Sequence, residues 1–170
     1  MKITCFNFKY DPQELIRWRD GDKNFVPKEV LSWIGPGRKN GYGYGEFWVE
    51  RYLKDNGYEV INGEYNLSTD KSKYIDNNNK IAEIIGLEKY QELVKRFRAM
   101  EEESNGLIVQ PDIFAYNGVE YKFIEVKKDK EKLRKPHINF VKLIKEELGI
   151  DFAMFNLQVN IDEGVTEIEI

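Results

Sequence analysis

Asp112, Glu125 and Lys127 are the residues best suited by type and spacing to chemistry. They lie in two short apolar runs, 110–116 and 121–128, with Asn117-Gly118 between them as a hairpin turn. Strand side chains alternate faces, so Glu125 and Lys127 point the same way. Two carboxylates and an ammonium then meet at the edge of a small sheet. Such a cluster can hold a divalent cation and place a lysine beside the water that the cation activates. The alternative is an ordinary ion pair on the solvent face of an amphipathic hairpin.

These residues must be positioned by their neighbours. Residues 45–61 read as a helix, a glycine stop at Gly57 and a strand, with Val49, Tyr52 and Leu53 on one stripe. Glu46 and Glu50 lie one turn apart, and either could face the cluster or simply complement the helix dipole. Downstream, Pro136 can open a helix and Gly149 can end it, with Phe140, Val141, Ile144 and Leu148 as its apolar stripe. In chain order, 58–66, 107–116, 120–128 and 152–159 read as the strands around these helices.

The arrangement resembles the PD-(D/E)xK nuclease superfamily. Pro111-Asp112 matches the proline-aspartate pair, and Glu125-Val126-Lys127 matches the Glu-x-Lys element. Glu46, followed by Leu53 seven residues later and by Gly57-Tyr58, is similar to the opening helix of these nucleases, archaeal Holliday-junction resolvases included. Glu50 is the fallback for that acid. The segment after Lys127 resembles the VRR-NUC branch, except that His137 stands where glutamine is usual.

The resemblance implies a restriction-endonuclease-like α/β core: a mixed sheet of four to five strands flanked by helices. It implies a metal-dependent DNA endonuclease. Asp112, Glu125 and the Val126 carbonyl would hold magnesium or manganese, Glu46 would join directly or through water, and Lys127 would orient the attacking water. No segment reads as a recognition domain, which favours structure-directed over sequence-specific cleavage.

The chain has 170 residues, 41% of them hydrophobic, enough for one domain with its own core. Within it, residues 45–61 and 107–160 read as the catalytic core, 1–44 as an N-terminal extension and 62–106 as a helical insertion. The net charge of −4 argues against non-specific coating of nucleic acid. Charge placement matters more. Residues 127–135 hold six basic and two acidic side chains, so Lys128, Lys130, Lys132, Arg134 and Lys135 could track a phosphate backbone, or form a solvated loop. His137 could contact phosphate or water, or serve as a structural hydrogen-bonding residue.

Residues 38–45 interleave glycines with Tyr42 and Tyr44 after Arg38 and Lys39. Glycines let a backbone approach phosphate and tyrosines stack on bases, so this segment is a second candidate nucleic-acid contact. The other reading is a lead-in whose tyrosines pack on the core.

Elsewhere, residues 1–10 suggest a strand, Asp11 and Pro12 a capped helix, 27–34 a short helix and 165–170 an edge strand. Residues 62–79 read as an exposed polar loop. Residues 80–103 read as two helices broken at Gly86, and Glu101–Gly106 closes them. A single cysteine, Cys5, excludes an internal disulfide and fits a reducing cytoplasm and a buried thiol. No apolar run reaches the length of a membrane span.

Three functions follow: a nuclease acting on DNA, with a homodimer needed if it makes paired cuts; a nuclease-fold protein without catalysis that binds nucleic acid or a partner; and a small α/β protein that binds others through residues 80–103.

Overall fold

The computed structural model describes residues 1–104 and 107–170. Asn105 and Gly106, read as part of the close of the helical segment, lie outside the described residues. Six strands form one mixed sheet: β1 (Lys2–Lys9), β2 (Glu59–Asn62), β3 (Ile113–Tyr116), β4 (Tyr121–Lys128), β5 (Asp151–Gln158) and β6 (Gly164–Glu169). Their spatial order is β2-β3-β4-β5-β1-β6. The β2-β3 and β3-β4 pairs are antiparallel, β4-β5 and β5-β1 are parallel, and β6 closes the edge antiparallel to β1.

The count exceeds the expected four to five because β1 is inserted between β5 and β6. Residues 1–44 are therefore not an appendage: they supply an interior strand. Its alternation is the reason. Ile3 and Cys5 are buried on one side while Phe6 and Phe8 stack against Phe155 on the other, so β1 has a face for each layer.

Helices cover both faces. α4 (Ser72–Ile85), α5 (Leu87–Ser104) and α6 (Lys135–Lys142) pack on Ile3, Cys5, Phe114, Phe123, Phe152 and Met154. α1 (Pro12–Asp20), α2 (Lys28–Leu31) and α3 (Tyr44–Asp55) pack on Ile113, Ala115, Ile124, Val126, Ala153 and Leu157. The strands' period of two sends alternate residues to these two cores. Burying residues such as Phe114, Phe123 and Phe140 is worth roughly 1.5–3 kcal/mol each.

The caps follow the sequence. Asp11 accepts a hydrogen bond from Gln13 N–H, Pro12 opens α1, and Gly21 closes it with φ 69°. Gly86, at φ 99°, separates α4 from α5. α6 continues as a wider π-helical turn, Leu143–Glu147, before Gly149.

Three boundaries differ from expectation. The polar stretch 62–79 is not a loop throughout, because α4 begins at Ser72. Its Asn78 is buried and ties the preceding turn down: the side chain accepts from Asn66 N–H and donates to the Asn66 and Thr69 carbonyls. β2 stops at Asn62 rather than 66, since Gly63 turns left-handed at φ 65°. β3 starts at Ile113 rather than 107. Pro111 brings no N–H to a ladder, and its carbonyl accepts from Tyr65 Oη at 2.6 Å. Cys5 is buried, and that burial pushes its thiol pKa up, consistent with an inert core residue. Among the described residues no helix is long and apolar enough to cross a membrane.

Candidate functional site at the β3-β4 fork

The β3-β4 ladder ends at the pair Ile113–Ile124, while β4 runs on to Lys128. Beyond that point one edge of β4 faces a gap instead of a strand. Asp112 reaches across it: its Oδ2 accepts from Val126 N–H at 2.9 Å, a side chain completing what the ladder leaves open. In a strand, a residue's N–H and C=O face the same edge, so the Val126 carbonyl also opens on this gap.

Glu125 and Lys127 share one face of β4, as their spacing requires. Lys127 Nζ lies 2.5 Å from Glu125 Oε1, and both residues are buried. His137, in the first turn of α6, donates from Nε2 to the same oxygen at 3.1 Å. Its Nδ1 accepts from Arg134 N–H at 3.0 Å, which fixes the ring's donor on the Glu125 side. The helix start and the acid are thus linked through one imidazole. Both contacts fall on Oε1, so Oε2 carries neither.

α3 brings the third acid. Gly45 lets its first turn approach β4, because a Cβ there would stand 3.2 Å from the Val126 side chain. The next residue, Glu46, lines the same cleft as Asp112 and Glu125. Glu50 does not line it and pairs with Lys54 at 3.6 Å.

Electrostatics separate the acids. Burial, then repulsion from Glu125 and Glu46, pushes Asp112 up to about 8 despite its backbone hydrogen bond. Burial, then the charges of Glu131 and Glu125, raises Glu46 as well, against a lowering backbone hydrogen bond. Burial also acts to raise Glu125, but the His137 hydrogen bond and the Lys127 charge outweigh it and hold the carboxyl below its ordinary value. One acid of the pair keeps its charge and the other keeps its proton near neutral pH.

The cleft has a volume of about 790 Å³. Lys128, Lys130, Lys132 and Arg134 line it, as do Gly41, Tyr42 and Gly43. The loop between β4 and α6 is shaped by Asp129, which holds a left-handed φ of 58°, accepts from Tyr10 Oη at 2.8 Å and donates N–H to the Leu157 carbonyl.

Other candidates fall elsewhere. Tyr44 is fully buried and its hydroxyl donates to Glu14 at 3.1 Å, so it is a core residue with no face for a base. Arg38 donates to the Trp18 and Arg19 carbonyls, closing the end of α1. Lys39 and Lys135 are exposed but do not line the cleft.

Sequence reasoning missed a polar row beside Lys127. Its register partner on β5 is Asn156, whose side chain donates to Asn7 on β1, and Asn7 donates to Thr166 on β6. Isolated asparagines in apolar strands were the available signal.

Among the described residues no three histidine, cysteine or acidic side chains converge into a ready-made metal cage. The donor set still suits a hard cation. Magnesium binds through one or two carboxylates plus substrate oxygens and keeps several waters. Burial, then the charges of Glu125 and Glu46, disfavours the Asp112 carboxylate, and a bound cation would favour it again. Comparison with protein-family models, with curated proteins and with solved structures finds no match.

Proposed function

We propose that the chain is a divalent-metal-dependent DNA endonuclease of the PD-(D/E)xK type. One observation carries the reading: Asp112, the Val126 backbone, Glu125 and Lys127 meet at the open end of a β3-β4 fork, within a cleft rimmed by cations. The succession α3, β2, then β3, β4, α6, β5 after the intervening α4 and α5, supports it, since this is the order read from the sequence for a nuclease-like core with a helical insertion.

Asp112, Glu125 and the Val126 carbonyl would hold magnesium or manganese, with Glu46 joining directly or through water. The bound ion supplies Lewis acidity at the phosphate and lowers the pKa of coordinated water. The protein's own groups do the rest. Lys127 Nζ donates to the attacking water or to a phosphate oxygen, orienting the one and neutralising the other. His137 is a positioning residue: it holds Glu125 Oε1 and leaves Oε2 to face other donors and ligands. Lys128, Lys130, Lys132 and Arg134 hold the phosphate backbone across the cleft.

The test is cleavage of linear duplex, single-stranded, flap and four-way-junction DNA with magnesium, manganese or a chelator. Metal-dependent cutting is expected. Lys127→Ala and Asp112→Asn should each lose about 10²–10⁴-fold in rate while remaining folded. A Lys127→Ala protein that cuts at the wild-type rate rejects the role given to the lysine.

One other reading is a nuclease-fold protein that binds nucleic acid without cutting it, since the exposed cations lining the cleft would serve binding alone. Wild-type protein that cuts none of these substrates and shows no metal binding by calorimetry, yet binds DNA, would favour that alternative.

A further inference from the structure

Beside the cleft stands an apolar patch that the core does not absorb. Trp33 is 43% exposed, Tyr42 67%, and Ile34 is fully exposed. Tyr42 lines the cleft, and the Trp33 ring touches it with centroids 5.8 Å apart and planes inclined at 55°.

The patch is held in place by backbone. Tyr42 N–H donates to the Gly37 carbonyl at 3.0 Å, and the Tyr42 carbonyl accepts from Trp18 Nε1 at 2.9 Å. Gly43 sits at φ 84°, and a Cβ there would stand 2.7 Å from the Trp33 ring. Glycine at 43 therefore serves both the left-handed turn and the seat of the indole. Tyr42 is thus presented outward on a fixed turn at the cleft, with the half-exposed Trp33 ring packed against it. The same cleft is lined by Lys128, Lys130, Lys132 and Arg134.

A ligand that satisfies both the aromatic pair and the cations is flat and apolar in one part and anionic along its length. An unpaired nucleotide fits that description: its base has a free π-face and its phosphates run on into the cations. A fully paired duplex hides its base faces everywhere but at its ends. The two rings touch each other, so a base stacks on an outer face and not between them.

We propose that Trp33 and Tyr42 form a stacking shelf for an unpaired base beside the cleft, making DNA with a single-stranded arm the preferred substrate. For what the cleft does to that DNA, this rests on the endonuclease reading. The shelf itself is tested by binding, without cutting.

Fluorescence anisotropy in a chelator would compare a blunt duplex with a duplex of equal length bearing a splayed arm. Wild-type protein should bind the splayed form more tightly. The Trp33→Ala/Tyr42→Ala double variant should lose roughly 10-fold or more of its affinity for it, within the range for loss of one base–aromatic stack, and bind the blunt duplex unchanged. Trp33→Phe/Tyr42→Phe should keep the preference. Circular-dichroism melts would verify that the variants fold.

Equal wild-type affinity for both forms would overturn the shelf, as would a double variant that weakens both alike. So would self-association of the wild type that the double variant abolishes, which would make the patch a contact between copies of the chain. A preference for the splayed form in a protein that cuts nothing would leave the shelf standing and the endonuclease reading refuted. Cutting without the preference would do the reverse.

Discussion

The floor and the rim of the cleft carry similar residue types under opposite conditions. On the floor, Glu125, Lys127 and His137 are buried and joined by contacts of 2.5 and 3.1 Å. On the rim, Lys130, Lys132 and Arg134 are exposed. Buried charge cannot be screened by water, so it appears as altered protonation, one acid near 8 and its neighbour held low. Exposed charge is screened, so it acts through long-range attraction that salt weakens. Floor substitutions should therefore act through pH and metal, and rim substitutions through ionic strength.

The largest effect belongs to Asp112. Its folded pKa, about 8, lies above the ordinary value of 3.8. Between those values the folded chain keeps a proton that the unfolded chain releases, so stability falls as pH rises from about 4 to about 8 and is level above that. The raised Glu46 adds to the same slope. An asparagine at 112 can still accept from Val126 N–H and has nothing to ionise. Metal-free Asp112→Asn should match the wild type near pH 4 and exceed its stability at pH 8 by on the order of a few kcal/mol. Urea melts at both pH values would measure this. On the proposed reading magnesium would bind the folded wild type, so adding it should narrow the gap. Wild-type and variant melts that stay parallel across pH would remove the electrostatic contrast between floor and rim.

His137 comes next. If it positions Glu125, His137→Ala should weaken magnesium affinity or cleavage by about 10–100-fold. The acid limb of the pH–rate profile should also move upward, because Glu125 loses its leading stabilising hydrogen bond. His137→Gln, whose amide can donate to Glu125, should recover most of the loss. A ring that merely starts α6 would move neither the metal titration nor the acid limb.

The sequence made the floor more legible than the rim. Pro111-Asp112 and Glu125-Val126-Lys127 are local patterns whose consequence follows from the two-residue period of a strand. The structure does place Lys127 on Glu125 and Asp112 on Val126 N–H. β1 and β6 were readable as strands, but the position of β1 between β5 and β6 was not. That order depends on pairing across some 150 residues, which no local period encodes. The rim was harder still. Tyr42 and Tyr44 lie two residues apart and have the same side chain, yet one is exposed and one is buried against Trp18 and Tyr10. Alternating glycines erase the periodicity that would have told them apart. Trp33 was read only as part of a short helix, whereas α2 ends at Leu31 and releases the indole to the shelf.

The smallest effect is the one that best separates rim from scaffold. A lysine that contacts phosphate releases a counterion on binding, so its loss lowers the slope of log affinity against log salt by about one. Lys130→Ala and Lys132→Ala should each do this, since both line the cleft. Lys135→Ala should leave the slope unchanged, because Lys135 opens α6 outside the lining. Arg38→Ala should also leave the slope intact but lower the melting temperature, since its guanidinium closes the end of α1 through two carbonyls. All four variants carry the same change in net charge, so a bulk electrostatic effect would shift their slopes equally. Binding isotherms at several salt concentrations that group Lys130 with Lys132, apart from Lys135 and Arg38, would tie the DNA path to this cleft. Four equal slopes would mean that DNA is attracted to the surface as a whole and that the rim has no special part in holding it.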